Sequence, residues 1–484
     1  MADRGQWDSS IAFIFAMIGA AVGLGNIWRF SYVVYSNGGG SFFIPYFIAI
    51  IIMGIPFLIL EYGVGFTFKE SFSKVMKKIN PKFEIIAWIL VLFVFGVVVY
   101  YMVLLSWDLV YLVSSLTFSW GSDPATYFVQ HVGGSSNLSN AFSIVIPSAV
   151  GVIVMWVVLW VISHKDVDTG IGKISKILIP TLFVIMGIIV IYSLSLPGAG
   201  IGLETLLTPD WDLLFDETVW ISAFGQIIFS LSMGQAIAVT YSSYLPKNSR
   251  LIDNVLIVVL SNSAFEIFTS FGVFSILGYM SVTTGTPMVQ LVTEGTGLIF
   301  IVFPMIFNIM GPIGHILAPL LFLAILFAGI TSALGFFEPL LSSISGKFNF
   351  SRKKSATILS VIGCILSIFL TTGISSYLVQ IVDAFINQFG ILILIAVQCI
   401  IFAWFWGVEK FIPVLNEHSR FKVGKKWSFI IKYLLPIFLI LLWIVGVIDI
   451  LETAESFEIA IDILISVVVV IVAFVLTKLK SSSN

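Results

Sequence analysis

Charge is scarce in this sequence: 10% of its residues are Asp, Glu, Lys or Arg, against 59% that are hydrophobic. A chain of 484 residues with a mean hydropathy of +1.09 carries more apolar surface than one soluble core can bury. A water-soluble domain is therefore excluded, and a lipid bilayer is the partner the composition demands. The formal net charge of -2 argues against a nucleic-acid partner. Cysteine is nearly absent, and Cys364 and Cys399 both fall inside apolar runs, so no disulfide framework is expected. The histidines, His131, His164, His315 and His418, are too scattered to form a metal or nucleophile motif, which makes an intramembrane enzyme the weakest of the function classes. The opening residues MADRGQWDSS lack a short apolar core with a small-residue cleavage site, so the first apolar run is expected to remain as a helix.

Long apolar runs, by contrast, recur from end to end. They predict an all-α integral membrane protein with helices near 11–35, 42–68, 85–117, 142–163, 171–196, 218–244, 252–280, 313–345, 353–371, 377–406, 427–449 and 459–478, twelve spans in all. The run from Leu298 to Met310 is apolar but short and contains Pro304, and charge decides its status. If it does not cross, and both termini lie inside, 23 of the 24 Lys and Arg residues fall on one side, from Arg4 through Lys69–Lys82, Lys347–Lys354 and Lys410–Lys432 to Lys478 and Lys480. The opposite loops then carry acids only, including Asp123, Asp216, Glu294 and Glu455. Counting that run as a span would invert every later loop and destroy this positive-inside division. Arg29, inside the first helix, is the exception.

The first span, IAFIFAMIGAAVGLGNIWRF, places Gly19, Gly23, Gly25 and Asn26 near its middle. Glycines alone read most simply as close helix packing. Asn26 and Arg29 alter that reading, because polar groups beside a glycine cluster are costly at membrane depth unless they line a cavity, where unwound backbone is tolerated. The sixth span, GQIIFSLSMGQAIAVTYSSY, is interrupted likewise at Ser230, Ser232, Gly234 and Gln235. Two broken helices, each opening a block of five spans, point to a midplane site in a secondary transporter, with half-helix amides facing an anion and freed carbonyls facing a cation.

Further polar groups lie in later spans. Ala328, Thr331 and Ser332 share about one helix face, and their oxygens suit a hard monovalent cation, although such hydroxyls commonly bond their own i−4 carbonyl. Asn262 and Glu266 are one turn apart, and a buried acid is either a functional group or a structural hydrogen-bond partner of a neighbouring helix. Tyr100 and Tyr101 taken singly read as interhelix packing.

GAAVGLGNIWRF, the following NGGGSFFIPY, Tyr100-Tyr101, GQIIFSLSMG and AGITS, in that order, resemble the neurotransmitter:sodium symporter family, in particular its bacterial and archaeal amino-acid transporters of the leucine-transporter type. The transporter geometry invoked for midplane sites is itself drawn from that family. The resemblance implies a five-plus-five inverted repeat: an N-terminal segment 1–10, a first repeat 11–196, an extracellular loop 197–217, a second repeat 218–406 with a loop cap near 283–312, and two last helices with a short tail, 407–484.

It also implies two transported sodium ions. The first is held by the Ala21 carbonyl, Asn26, Ser230, Asn262 and the substrate carboxylate, the second by carbonyls of Gly19, Val22 and Ala328 with the hydroxyls of Thr331 and Ser332. The substrate carboxylate would meet the amides of Leu24 and Gly25 and the Tyr101 hydroxyl; its ammonium would meet the carbonyls of Ala21, Phe229 and Ser230 and the Ser232 hydroxyl. Val97, Tyr101, Phe229, Gln235, Ser332 and Phe336 would line the side-chain pocket. Gly23 stands where monoamine carriers place an aspartate, favouring a true amino acid. Glu266 stands where chloride-dependent members have a small hydroxyl residue, implying chloride independence. Arg29 and Asp383 match the outer gate above a lid of Tyr101 and Phe229. Arg4 and Trp7 match the inner gate, whose aspartate is replaced by Gly346.

The expected function is thus sodium-driven import of a neutral, hydrophobic or aromatic amino acid across the plasma membrane, with a homodimer as the assembly the family admits. The competing readings are a proton-coupled or sodium-independent carrier on the same scaffold, with Glu61 or Glu266 relaying protons, and a sensor that binds an amino acid without moving it.

Overall fold

In hydrocarbon the backbone of an apolar run must satisfy its own hydrogen bonds, and a helix does so within one segment. The computed structural model describes residues 5–292 and 295–481, so Arg4 and Glu294 lie outside the described residues. Among the described residues there is no strand, only the isolated bridges Gly39–Pro209 and Ile144–Thr372.

Nine helices among the described residues are long and apolar enough to cross a membrane, and the pair Ser10–Ala21 and Leu24–Ser36, bent by 52°, makes a tenth. The two remaining segments of the expected twelve fail that test for different reasons. The sixth is split into Glu217–Ser230 and Ile237–Ser243, each too short alone. The ninth, Arg352–Phe369, carries Arg352, Lys353 and Lys354 in its first turn. The run after Gly297 forms a short helix, Leu298–Ile309, too short to cross. It packs against the acid-bearing end of the bundle, where Phe300 stacks on Phe128 and Asn308 accepts from the Trp120 indole at 3.0 Å.

Burial separates centre from periphery. The span Pro81–Ser115 has 83% of its most apolar stretch buried, whereas Ser456–Lys478 has 6% and faces outward along nearly all its length. Glycines permit the closest approaches at the centre. A Cβ on Gly65 would lie 2.0 Å from the Val239 carbonyl oxygen, so the Ile55–Phe68 helix and the second half of the broken sixth span meet backbone to backbone.

Helix starts are set by local capping. Ser9 accepts from the Ala12 amide at 3.2 Å, and Asp216 accepts from the Thr218 amide at 2.8 Å, satisfying donors that the first turn leaves free.

Candidate functional site

The first helix ends at Ala21 and restarts at Leu24, with Val22 and Gly23 in extended conformation between. Asn26 holds this break together from the new first turn. Its Oδ1 accepts from the Gly23 amide at 2.9 Å, while its Nδ2 donates to Asn262 Oδ1 at 2.8 Å and to Glu266 Oε1 at 3.0 Å. Both amide protons are used, so the orientation of the group is fixed and one Oδ1 lone pair is left.

The sixth span breaks over residues 231–236, where Ser232, Gly234 and Ala236 all have positive φ (48°, 70° and 60°). Only Gly234 lacks room for a side chain: a Cβ there would lie 2.2 Å from Ile395 Cγ1. The two breaks face each other. Ser232 Oγ donates to the Ala20 carbonyl at 3.2 Å, and Asn262 Nδ2 donates to Ser230 Oγ at 2.5 Å, so Asn26, Ser230 and Asn262 form one chain of contacts across three helices. Ala21, expected beside them, is the buried last residue of the first half-helix.

On the other side of the first break, Ser332 Oγ lies 3.0 Å from the Gly19 carbonyl and 3.2 Å from the Val22 carbonyl. Thr331 bonds within its own helix, to the Ala328 carbonyl at 2.9 Å and the Phe327 carbonyl at 3.1 Å, as membrane threonines commonly do. The five residues Gly19, Val22, Ala328, Thr331 and Ser332 nonetheless converge, since a Cβ on Gly19 would sit 2.8 Å from Thr331 Cβ. The result is a cluster of carbonyl and hydroxyl oxygens without a carboxylate, the donor set of a hard monovalent cation.

Between these clusters the backbone of residues 23–25 meets side chains from three other helices. The Leu24 amide donates to the Tyr101 hydroxyl at 3.2 Å. A Cβ on Gly25 would lie 2.4 Å from Phe229 Cε1, and one on Gly23 would lie 3.0 Å from both the Tyr101 hydroxyl and Ser332 Oγ. Tyr101 meets Phe336 edge to face at 5.5 Å. Val97 and Gln235 are buried, and no protein donor among the described residues reaches Gln235 Oε1. Backbone amides at a half-helix start, beside a phenol, suit a carboxylate.

The model of the sodium:neurotransmitter symporter family matches residues 4–141 and 120–482. The chain belongs to that family. The symporter is 38% identical over 438 residues to an uncharacterized sodium-dependent transporter of Methanocaldococcus jannaschii, covering 90% of this chain and 89% of that protein. It is also 27% identical over 481 residues to the sodium-dependent dopamine transporter of Caenorhabditis elegans, covering 88% of this chain and 77% of that protein.

Several partners in the symporter's site went unmarked in its sequence. Glu266 is fully buried and satisfied by donors from three further elements: Asn26, Gln226 Nε2 at 3.0 Å and the Tyr46 hydroxyl at 2.6 Å. Thr269, one turn on, donates to the Asn26 carbonyl at 3.1 Å. Tyr46 lies in NGGGSFFIPY and Gln226 in GQIIFS, so the only sequence signal was a polar group in a conspicuous run.

The expected outer pair is not in direct contact. Arg29 lies over the Phe229 ring, 4.3 Å from its centroid, while Asp383 accepts from the Tyr100 hydroxyl and from Asn387 Nδ2 at 2.8 Å. No ion pair joins Arg29 to Asp383 among the described residues. At the lysine-rich end, Trp7 is buried with its indole donating to the Tyr241 carbonyl at 2.8 Å, edge-on to Phe13, Tyr241 and Tyr244. Arg4 lies outside the described residues, and Gly346, where an acid was expected, faces Ser71 from within the Gly314–Phe348 helix. An acid does stand two turns earlier: Glu338 binds Arg352 through both oxygens, at 2.5 and 2.7 Å, and accepts from the Tyr244 hydroxyl at 3.0 Å.

Proposed function

We propose that this symporter imports a neutral amino acid, hydrophobic or aromatic, together with two sodium ions and without chloride. The observation that carries the reading is the hydrogen-bonded path from the first break through Asn26 to the buried carboxylate of Glu266. Ala21, Asn26, Ser230 and Asn262 would hold the first ion, completed by the substrate carboxylate, so each ligand builds part of the other's site. Glu266 supplies a fixed negative charge beside it, held by neutral donors rather than by a basic side chain. Opposite unit charges about 6 Å apart attract by roughly 3 kcal/mol at an effective dielectric of about 20, enough to matter for ion affinity. Gly19, Val22, Ala328, Thr331 and Ser332 would hold the second ion.

The substrate carboxylate would take the Leu24 amide from the Tyr101 hydroxyl, and its ammonium would meet the carbonyls of Ala21, Phe229 and Ser230 and the Ser232 hydroxyl. Gly23 and Gly25 would leave that place to the substrate; an aspartate at position 23 would start 3.0 Å from the Tyr101 hydroxyl and Ser332 Oγ and crowd both. Alternating access would proceed between an outer closure at Arg29, Phe229 and Asp383 and an inner closure at Trp7, in a plasma membrane with both termini cytoplasmic.

The test is reconstitution into liposomes, with uptake of each common amino acid driven by a sodium gradient, then with potassium replacing sodium and gluconate replacing chloride. Uptake that needs sodium and ignores chloride is expected. Glu266→Ser should make uptake chloride-dependent, with Tyr46 and Gln226 left to hold the anion. Wild-type uptake that stops without chloride would overturn the role given to Glu266, and equal uptake in potassium would overturn sodium coupling.

A further inference from the structure

One cleft lies apart from the ion and substrate machinery. It has a volume of about 450 Å³ and opens where the Ile55–Phe68 helix meets the stretch leading into the Lys425–Thr453 span. Its walls are apolar, with Pro56 and Ile59 on one side and Trp427 on the other, and the Trp427 indole donates to the Pro56 carbonyl at 3.0 Å, pinning them together. Its rim carries Lys422, Lys425 and Lys426, all exposed. None of the three forms an ion pair among the described residues, whereas the neighbouring Lys432 is matched by Glu409 at 2.6 Å.

The surroundings are those of a membrane interface. Phe421 and Phe429 are about three-fifths exposed beside the cleft, and Trp404 and Tyr433 pack edge to face at 5.3 Å with outward-facing rings. Aromatic rings of this kind mark headgroup level, and lysines there reach their ammonium groups toward phosphate. An apolar cavity below three lysines that lack an acidic partner among the described residues, Lys422 donating to the Asn416 carbonyl, has the chemistry of one ligand class: an acyl chain attached to an anionic head.

We propose that this cleft binds an anionic phospholipid of the cytoplasmic leaflet, its acyl chain between Pro56, Ile59 and Trp427 and its phosphate among Lys422, Lys425 and Lys426. The leaflet follows from the orientation proposed above; the binding chemistry does not depend on it. The site bears on transport through its position. Gly54, just before the cleft, packs against Ile227 and Leu231 at the second helix break, with a Cβ there only 2.9 Å from Leu231 Cδ1.

Native mass spectrometry of the purified full chain, titrated with phosphatidylglycerol or phosphatidylcholine in the absence of sodium and amino acid, tests this directly. Each lysine near an anionic head contributes about fivefold, so the variant Lys422→Gln/Lys425→Gln/Lys426→Gln should lose phosphatidylglycerol affinity on the order of a hundredfold. The control Lys247→Gln/Lys353→Gln/Lys354→Gln, which removes equal charge elsewhere, should bind like wild type. Equal loss in both variants, phosphatidylcholine binding as tight as phosphatidylglycerol, or full displacement by millimolar inorganic phosphate would overturn the proposal. Leaflet is tested separately: Lys422→Cys should react with an impermeant maleimide only after the membrane is opened. Labelling of intact cells would overturn the orientation while leaving the binding result standing.

Discussion

Asn26 and Glu266 are joined by a 3.0 Å hydrogen bond between helices 240 residues apart in sequence, and the same Asn26 amide group also holds Asn262 at 2.8 Å. Asn26→Ala leaves the Asn262 Oδ1 and the Gly23 amide without their partner and takes one of three donors from Glu266. Each buried group left without a partner costs about 1–3 kcal/mol. Sodium affinity and substrate affinity should therefore fall together, by on the order of ten- to a hundredfold, in equilibrium binding of each ligand at fixed concentrations of the other. Loss of one with the other intact would break the proposed sharing of the first ion site.

Gly25 keeps Phe229 in place by having no side chain, since a Cβ would fall 2.4 Å from Cε1 of that ring. Gly25→Ala must therefore displace the ring, together with the Arg29 guanidinium resting on it, beside the proposed substrate site. Overpacking of this kind typically costs about 1–3 kcal/mol, so substrate affinity should fall about ten- to a hundredfold. Phe229→Leu in the same chain should restore part of that loss. Additive effects of the two changes would show that the contact is not what the glycine protects.

How much of this was legible beforehand depended on what a residue contrasts with. Gly19, Gly23, Gly25 and Asn26 stand out because an apolar span has no local use for them, and Ser230 to Gln235 stand out for the same reason. Tyr46 and Gln226 do not, because an aromatic or an amide in a span is equally at home against a neighbouring helix, and only packing determines that both point at Glu266. Glu338 and Arg352 are similarly silent, since their pairing depends on how one helix follows the next. The break leaves the sixth span as two short halves, and the basic first turn charges the start of Arg352–Phe369, so the folded chain marks fewer crossings than the sequence rhythm does. Arg29 and Asp383 carry the opposite lesson. The family resemblance implied a pair, but in this state an aromatic face holds one and Tyr100 with Asn387 holds the other.

Asp216 gives the site a pH signature. Its carboxylate accepts from both the amide and the hydroxyl of Thr218 at the start of the helix that ends at Ser230, and those bonds hold its carboxyl below the ordinary value of 3.8. A depressed acid stabilises the fold while ionised, so the contribution is complete above 3.8 and is lost as pH falls through the lowered value. Asp216→Ala should therefore melt lower than wild type at pH 7, with the gap closing in acid below pH 3.8. An equal gap at pH 7 and at strongly acidic pH would mean that the cap acts through packing alone.

Asp108 stands in contrast to Glu266. It is fully buried in the Glu84–Ser115 helix, and no donor among the described residues reaches either of its oxygens, whereas Glu266 has three. Seven residues separate it from Tyr101, which places the two on nearly the same helix face about 10 Å apart along the axis. A buried carboxylate without partners destabilises a fold, and an apolar residue of similar volume in its place is commonly neutral or stabilising. Asp108→Leu should accordingly raise the melting temperature in detergent by a few degrees, and Asp108→Asn, which keeps a polar group, should raise it less. If the acid were only a packing defect, sodium-driven uptake by the leucine variant would match wild type. Improved stability with impaired uptake would instead mark Asp108 as a group retained for transport at a cost in stability, whereas a lower melting temperature for the leucine variant would show that the carboxylate finds stabilising partners within the folded protein.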